Sequence, residues 1–186
     1  MTYVTHSPEE TERLGASFAG RLGEGRGFAF VALYGEMGAG KTAFVRGMAS
    51  VLSPGSRVKS PTYTIVNEYR RGKAPLFHFD LCRLSSTEEL DSFGFSEYVG
   101  SGHCVCEWAD ILGDFIPEGA VIVKITGSGT RREIEISDAD GLGDIFADGA
   151  DCAENADNAE NTDNADGAEN VENADRKNNA DGAVSG

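Results

Sequence analysis

The first periodic segment of the chain predicts a helix near the N-terminus. Ser7 is a preferred N-cap residue, Pro8 suits the first helical position, and Glu10 completes a capping box. Apolar residues then recur every four positions from Leu14 to Leu22, which gives the helix one apolar face. We expect this face to pack on a β-sheet.

Apolar segments of strand length follow that helix. Residues 28–34 form a continuous apolar run, as in a strand buried on both faces. Residues 41–52 then have the spacing of a second helix, which ends at the Ser-Pro-Gly sequence of residues 53–55. Residues 75–81 and 102–106 predict two further strands. The alternation of strands and helices predicts an α/β fold.

The remaining segments are shorter. Residues 58–69 mix polar residues with a brief alternating pattern, so a loop into an edge strand and a nucleotide-sensing switch loop both stay open. Residues 86–89, Ser-Thr-Glu-Glu, predict a second capping box before a short helix. Residues 120–126 and 132–136 alternate with period two around a glycine-containing turn, which predicts a hairpin.

A phosphate-binding motif lies between the first apolar strand and the helix after it. Residues 35–42 match the pattern G-x-x-x-x-G-K-[ST] at every required position. Its glycines let backbone N–H groups turn inward around an anion, Lys41 supplies a positive charge, and the Thr42 hydroxyl is placed to ligate Mg²⁺. Because a strand precedes the motif and a helix follows it, the sequence predicts a P-loop.

Two predicted strands deliver acids to the edge of the sheet. Asp80 ends the strand at 75–81, and Glu107 follows the strand at 102–106. A Mg²⁺ ion bound to ATP needs only one or two protein oxygens. One acid would therefore serve the metal while the other positions the attacking water, and the spacing does not assign the two roles. For either acid the structural alternative is a cap or a salt-bridge partner.

The acidic charge of the chain is concentrated at its C-terminal end. Residues 141–186 hold 12 of the 31 acidic residues and two of the 16 basic ones, and so −10 of the formal charge of −15. From Asp151 to Asp175 an acid recurs every third residue, which leaves no apolar face on any helix. We therefore predict a domain at 1–140 and a low-complexity tail at 141–186, disordered from about 147. A solvated tail and a Ca²⁺-collecting tail both fit this composition.

The rest of the composition restricts the class of protein. The chain has no basic patch, so a role on nucleic acid would be indirect. Cys104 and Cys106 would share one face of a strand, as a metal or redox pair or as buried thiols, but no zinc spacing or C-x-x-C motif is present. No signal sequence and no apolar run of membrane-spanning length occur, so we expect a cytoplasmic protein without membrane contact.

Four motifs in the same order resemble one known family. They are the P-loop of residues 35–42 with the residues after it, Ser-Pro-Thr-Tyr-Thr-Ile-Val-Asn-Glu-Tyr at 60–69, His-Phe-Asp-Leu-Cys-Arg-Leu at 78–84, and Glu-Trp at 107–108. Over about residues 5–137 the chain is similar to the bacterial TsaE ATPases. These proteins support the formation of threonylcarbamoyladenosine at position 37 of tRNAs that read codons beginning with A.

The resemblance implies a fold, an activity and partners. The fold is an α/β domain of P-loop NTPase type, with a mixed β-sheet flanked by helices. The activity is Mg²⁺-dependent ATP hydrolysis that is slow in isolation and takes effect in a complex with the TsaB and TsaD subunits. TsaD carries out the transfer to adenosine, so contact of this chain with tRNA is only indirect.

The resemblance also assigns roles to residues. It implies that Lys41 binds phosphate and takes part in catalysis, that Thr42 and Glu107 hold Mg²⁺, and that Asp80 assists hydrolysis. Residues 60–64 would form a switch-like loop, and Trp108 would lie beside the site. The further residues implied to bind ATP are Thr11, Glu36, Met37, Gly38, Ala39, Gly40, Ala43 and Arg132. The chain departs from the family pattern at Glu36 and Met37, where Asp-Leu is usual, and at Cys82, where tyrosine is usual.

Two functional hypotheses follow from these residues. The first is an ATPase coupled to the tRNA-modifying complex. The second is a nucleotide-dependent binding switch that regulates partner assembly, with incidental hydrolysis. A small-molecule kinase fits less well, because the short core has no arginine-rich lid and no segment to bind an acceptor.

Overall fold

A computed structural model of the chain describes residues 1–22, 27–127 and 129–138. The acidic segment at 141–186 lies outside the described residues, and so do the predicted boundary near residue 140 and the predicted disorder. The elements in chain order are β1 (Thr2–Thr5), α1 (Pro8–Leu22), β2 (Phe30–Tyr34), α2 (Lys41–Leu52), β3 (Val66–Tyr69), β4 (Leu76–Asp80), α3 (Glu88–Ser92), α4 (Phe95–Tyr98), β5 (His103–Glu107), a 3₁₀ helix (Ala109–Phe115), β6 (Val121–Thr126) and β7 (Arg132–Asp138).

The described strands form one mixed seven-stranded sheet in the order β1-β7-β6-β2-β5-β4-β3. Strand β2 is parallel to both β5 and β6, and β5 is parallel to β4. The outer pairs β1–β7, β6–β7 and β3–β4 are antiparallel. The prediction of an α/β domain with a mixed sheet flanked by helices is therefore confirmed.

Helices cover both faces of the sheet. Helices α1 and α2 lie on one face, where Phe18, Phe44 and Met48 are fully buried. The shorter helices α3 and α4 and the 3₁₀ helix lie on the other face, around Phe79 and Leu112. Because both faces are covered, β2, β4 and β5 are buried almost throughout, which explains the continuous apolar sequence of β2 and the mainly apolar sequences of β4 and β5.

Helices α1 and α2 approach each other closely through two glycines. A Cβ atom added at Gly47 would collide with the backbone carbonyl of Glu12, and one added at Gly15 would collide with that of Phe44. The backbones therefore meet where no side chain intervenes. This contact fixes α2, and with it the helix N-terminus that follows the P-loop.

The two predicted capping boxes have different outcomes. The Ser7 hydroxyl accepts the N–H of Glu10 at 3.1 Å, as predicted, although the Glu10 carboxylate reaches back to the N–H of His6 rather than to that of Ser7. The box predicted at residues 86–89 is wrong. Thr87 is the N-cap of α3 without a side-chain capping bond, and Glu89 accepts from the N–H and hydroxyl of Ser85. The short helix that was predicted to follow this capping box is present as α3.

Three elements lie in segments whose local pattern did not predict them. Strand β1 has only four residues and pairs with the first four residues of the hairpin strand β7. Helix α4 and the 3₁₀ helix are each anchored by one or two buried apolar residues, Phe95 in α4 and Ala109 and Leu112 in the 3₁₀ helix. These elements depend on tertiary packing, because segments this short have little intrinsic stability.

Candidate nucleotide and metal site

The P-loop connects the carboxyl end of β2 to the first turn of α2. Gly38 and Gly40 have φ angles of 77° and 109°, in the left-handed region that favours glycine. Gly40 is the N-cap of α2, and no side chain caps this helix. The first N–H groups of a helix have no intrahelical acceptor, so this N-terminus is available to an anion.

A cavity of about 420 Å³ opens beside the P-loop. Its walls come from the start of α1, the P-loop and first turn of α2, the end of β5 and the turn between β6 and β7. The volume is within the range of small-molecule sites. The sequence-predicted site residues that line it are Thr11, Gly38, Gly40, Lys41, Thr42, Ala43, Glu107 and Arg132.

The other predicted site residues lie elsewhere around the P-loop. Glu36 and Ala39 line a separate cavity of about 790 Å³ on the side of Trp108 and Tyr34. Met37 is 85% exposed at the tip of the loop. Asp80 is buried and lines neither of these two cavities. The structure thus gathers most, but not all, of the predicted ATP-binding residues on one side of the P-loop.

Lys41 is folded back onto the loop that precedes it. The side chain is buried, and its Nζ donates hydrogen bonds to the carbonyl oxygens of Gly35 at 2.6 Å and Glu36 at 3.0 Å. The ammonium group also lies 4.0 Å from the centroid of the Trp108 ring, a cation–π geometry. Burial lowers the pKa of Lys41, while the carboxylates of Glu107 and Asp80 act in the opposite direction.

Glu107 links the sheet directly to the P-loop helix. Its carboxylate is at the end of β5, and its Oε1 accepts a hydrogen bond from the Thr42 hydroxyl at 2.9 Å. The same Oε1 lies 2.8 Å from Nε2 of His78. Glu107 is only 3% exposed, so its charge is held by these specific partners rather than by bulk water.

Asp80 has a different set of partners. Its Oδ2 accepts hydrogen bonds from the hydroxyls of Ser60 and Thr62, each at 2.7 Å, and its Oδ1 accepts the N–H of Cys82 at 3.2 Å. Burial by itself raises the pKa of Asp80, but these hydrogen bonds outweigh it and hold the pKa below its ordinary value. Asp80 is therefore an ionised carboxylate held by the loop at residues 60–64.

The structure separates the two acids whose roles the residue spacing left open. Asp80 and Glu107 are register partners on the adjacent parallel strands β4 and β5, so they lie side by side. Glu107 is bonded to the P-loop threonine, whereas Asp80 is bonded to the loop hydroxyls. The loop continues through residue 65 into the edge strand β3 at Val66–Tyr69, so it both contacts the candidate site and enters an edge strand.

Two backbone conformations next to these acids are strained. Ile65 and Trp108 have φ angles of 65° and 59°, and they are the non-glycine residues with positive φ among those described. The carbonyl of Ile65 accepts the N–H of Asp80 at 2.9 Å, and Trp108 directly follows Glu107. Such conformations cost about 1–3 kcal/mol each and persist where the surrounding structure imposes them. Both therefore mark positions where the fold holds a site residue in place.

Arg132 and Thr11 brace the loop and the start of α1. The Arg132 side chain donates to the carbonyls of Ala39 at 2.7 Å and Gly38 at 3.2 Å. The Thr11 hydroxyl is 2.8 Å from that of Thr5 and also donates to the Ser7 carbonyl. Both residues line the cavity, so each forms part of the wall of the candidate nucleotide site.

The oxygen donors at this site suit a Mg²⁺ ion that arrives with a nucleotide. Thr42 and Glu107 supply two hard oxygens, and Mg²⁺ bound to phosphates needs only one or two from the protein. Among the described residues, no group of three or more His, Cys, Asp and Glu side chains could hold a metal ion alone. The two oxygens of Thr42 and Glu107 suit a metal whose remaining ligands come from phosphate and water.

The sequence reasoning missed His78 as part of this site. The ring is fully buried in β4 and contacts Glu107. A signal was present, because His78 and Asp80 are two positions apart on a strand and so share one face. A polar residue two positions before a candidate acid on the same strand is therefore itself a candidate site residue.

Cys104 and Cys106 are free, buried thiols on β5. Burial raises the pKa of Cys104 to about 12 and that of Cys106 well above its ordinary range, so both stay protonated. This favours the interpretation of buried thiols over a metal or redox pair. In the described part of the chain, no helix is both long and apolar enough to cross a membrane.

A parallel-stranded core with a glycine-rich loop between β2 and α2 is the architecture of P-loop NTPase-like proteins. A family model described as "Threonylcarbamoyl adenosine biosynthesis protein TsaE" matches residues 5–134. The chain belongs to this TsaE family, which is involved in the biosynthesis of threonylcarbamoyladenosine on tRNA.

Individual relatives agree with the family match. The tRNA threonylcarbamoyladenosine biosynthesis protein TsaE of Haemophilus influenzae is 39% identical over 61% of this chain and 72% of its own length. The proteins of the same name from Bacillus subtilis and Treponema pallidum are 37% and 36% identical, over 72% and 71% of this chain and 83% and 97% of their own lengths. The crystal structure of Bacillus subtilis YdiB superposes with a TM-score of 0.62 at 28% identity, over 78% of this chain and 90% of that one.

Proposed function

We propose that the chain is a Mg²⁺-dependent ATPase that acts with TsaB and TsaD to form the threonylcarbamoyl group on adenosine 37 of tRNAs reading codons that begin with A. TsaD is the transferase in this scheme, and the chain contacts tRNA only indirectly. Membership of the TsaE family supports the pathway. The hydrogen bond between Thr42 and Glu107, at the N-terminus of the P-loop helix, carries the proposal of a metal–nucleotide site.

Thr42 and Glu107 would hold the Mg²⁺ ion. The Thr42 hydroxyl donates its proton to Glu107, so its oxygen lone pairs remain free for a cation. When bound, Mg²⁺ neutralises charge that develops on the phosphate oxygens during hydrolysis. Both residues are on regular structure, one in the first turn of α2 and the other at the end of β5, so the pair is preorganised.

The P-loop and Lys41 would bind the phosphates. The free N–H groups at the start of α2 face an anion, and the positive end of the helix dipole adds to their attraction. Lys41 Nζ exchanges its two carbonyl acceptors on Gly35 and Glu36 for phosphate oxygens. Thr11 and Arg132 close the walls of the cavity, where they contact the nucleotide.

Asp80 would orient the attacking water or accept its proton. The lowered pKa keeps this carboxylate ionised near neutral pH, as either role requires. Its Oδ2, however, already accepts hydrogen bonds from Ser60 and Thr62. Hydrolysis by the isolated chain is therefore expected to be slow, because the loop must release this oxygen before Asp80 can act on water.

The test is ATP hydrolysis by the purified chain, alone and with TsaB and TsaD, together with formation of the modified nucleoside. We expect partner-stimulated hydrolysis and Mg²⁺-dependent modification. Lys41→Ala should abolish both, while Lys73→Ala, which removes an exposed lysine from a loop, should leave both unchanged. Full modification activity in the Lys41→Ala variant would contradict the proposal.

A nucleotide-dependent binding switch is the second candidate, and one observation favours it. The loop that holds Asp80 also exposes Tyr63, which is 85% accessible, so a change at Asp80 alters a surface that a partner could bind. A non-hydrolysable ATP analogue distinguishes the two functions over repeated cycles of modification. Sustained turnover with the analogue would favour the switch, and arrest after one cycle would favour the ATPase.

A further inference from the structure

A buried histidine lies next to the candidate metal site. It has none of the roles that were predicted from the sequence. His78 is in β4, two residues before Asp80, and its side chain has no exposed surface. Its Nε2 is 2.8 Å from Oε1 of Glu107, the oxygen that also accepts the Thr42 hydroxyl. The imidazole therefore contacts the carboxylate from within the protein interior, and it lines neither of the two cavities.

The contact determines where the imidazole carries its proton. An ionised carboxylate only accepts hydrogen bonds, so Nε2 of His78 must be the donor. The other ring nitrogen, Nδ1, is buried and has no hydrogen-bond partner among the described residues. A proton on Nδ1 would leave a buried donor unsatisfied, which costs more than leaving a lone pair unused. The tautomer with the proton on Nε2 is thus the one that fits.

We propose that His78 is a positioning residue for the metal site, acting through Glu107. Two donors, the Thr42 hydroxyl and the His78 N–H, converge on Oε1 and fix the carboxylate plane. Oε2 of Glu107 is then left for the cation. The inference deepens the proposed function, since it rests on Mg²⁺ binding at Thr42 and Glu107.

Hydrogen bonds behind a metal ligand affect affinity even though they do not touch the metal. Losing such a partner typically weakens metal binding about 10- to 100-fold, because the ligand loses its fixed orientation. The neighbours of the imidazole explain why it keeps its own orientation. The centroid of the Tyr69 ring lies 6.5 Å from that of the imidazole, at an interplanar angle of 31°. Strand β4, which carries His78, is itself paired with β3 on one side and β5 on the other.

The experiment compares two substitutions of His78 in the full chain. His78→Leu keeps a buried side chain of similar bulk but removes the donor. His78→Gln keeps a donor that can reach Glu107. The matched control is His103→Leu, because His103 is also a buried histidine in the sheet but bonds to the N–H of Ala29 at the opposite end of the strands.

The readout is binding rather than turnover. MgCl₂ is titrated into each protein with ADP present, and the fluorescence of Trp108, the single tryptophan, reports binding beside Glu107. ADP affinity in EDTA and urea unfolding are measured in parallel. We expect His78→Leu to raise the half-saturating Mg²⁺ concentration about 10- to 100-fold, with ADP affinity in EDTA unchanged. His78→Gln should restore most of the affinity, and His103→Leu should not alter it.

An unchanged Mg²⁺ affinity in a folded His78→Leu protein would overturn the inference, and so would a failure of His78→Gln to restore it. If the leucine variant does not fold, nitrogen-15 NMR of the histidine rings in the wild-type chain decides. We expect a proton on Nε2 of His78, and an unprotonated Nε2 would overturn the inference. If wild-type binding of ADP shows no Mg²⁺ dependence, the proposed function fails instead.

Discussion

The two acids at the candidate site occupy equivalent positions and are held in different ways. Asp80 and Glu107 end neighbouring parallel strands and are paired in register. Glu107 is bonded to a helix and a strand through Thr42 and His78. Asp80 is bonded mainly to a loop, through Ser60 and Thr62.

The difference separates two parts of the site. The rigid side is Glu107 with Thr42 and His78, and the adjustable side is Asp80 with Ser60 and Thr62. Regular elements cannot shift without breaking core packing, so the carboxylate of Glu107 is held in one orientation, as the proposed role in metal binding requires. A loop can move at small cost, so the partners of Asp80 can change with nucleotide or partner binding. The same sheet edge thus holds one carboxylate bonded to regular elements and one bonded mainly to a loop.

Among the substitutions that compare the two acids, the one on the rigid side should reduce ATP hydrolysis most. Glu107→Gln keeps the shape of the side chain but removes its charge, and we expect ATP hydrolysis in the partner complex to fall about 1,000-fold. Metal-ion stabilisation of transition-state charge is worth several kcal/mol, which corresponds to this factor. The measurement is the rate of phosphate release as a function of Mg²⁺ concentration. An unchanged Mg²⁺ concentration for half-maximal rate in Glu107→Gln would mean that the carboxylate is not a metal ligand.

The next effect tests the adjustable side. Asp80→Asn should lower the rate of hydrolysis about 100-fold, because it removes a group that orients or deprotonates water. Unlike Glu107→Gln, it should leave the Mg²⁺ concentration for half-maximal rate unchanged. Equal shifts in Mg²⁺ dependence for the two variants would contradict the division between the acids.

A third prediction concerns the helix packing that supports the rigid side. Gly47→Ala should lower the free energy of unfolding by about 1–3 kcal/mol, because the added methyl group collides with the Glu12 carbonyl across the helix contact. Urea denaturation measures this change. Gly20→Ala is the control, since Gly20 is exposed on α1 with no atom within 4 Å of an added Cβ, and it should stabilise the protein by about 0.5–1 kcal/mol.

The smallest effect concerns the loop hydroxyls. The double variant Ser60→Ala, Thr62→Val removes two hydrogen bonds that hold the pKa of Asp80 below its ordinary value. The pKa of Asp80 should therefore rise, and the acid-side fall in hydrolysis should begin at a higher pH than in the wild type. The pH–rate profile measures this shift, and an unchanged acid limb would show that Asp80 does not control it.

The same lowered pKa has a consequence for stability. Because the folded-state pKa of Asp80 is below its unfolded value, the ionised carboxylate stabilises the fold at pH values above the unfolded pKa. This contribution is lost as the pH falls through the folded-state pKa. The double variant should lose less stability than the wild type over that acidic range.

Local patterns predicted most of the fold because they report burial and caps within a few residues. The predicted strands at 28–34, 75–81 and 102–106 are confirmed within one or two residues as β2, β4 and β5. The box at residues 86–89 was wrong because a serine at 85 competes for the same glutamate. Strand β1 was missed because four residues carry too little periodicity, and its pairing with β7 spans the whole domain.

The sequence by itself determined the P-loop, the apolar strands and the family, since each depends on residues that are close together in the chain. The tertiary structure decided which acid meets Thr42, which acid the loop holds, and that His78 belongs to the site. Thr42 and Glu107 are 65 positions apart, and they meet because β5 lies directly beside β2. Strand order follows from the packing of the whole chain, which no local pattern encodes.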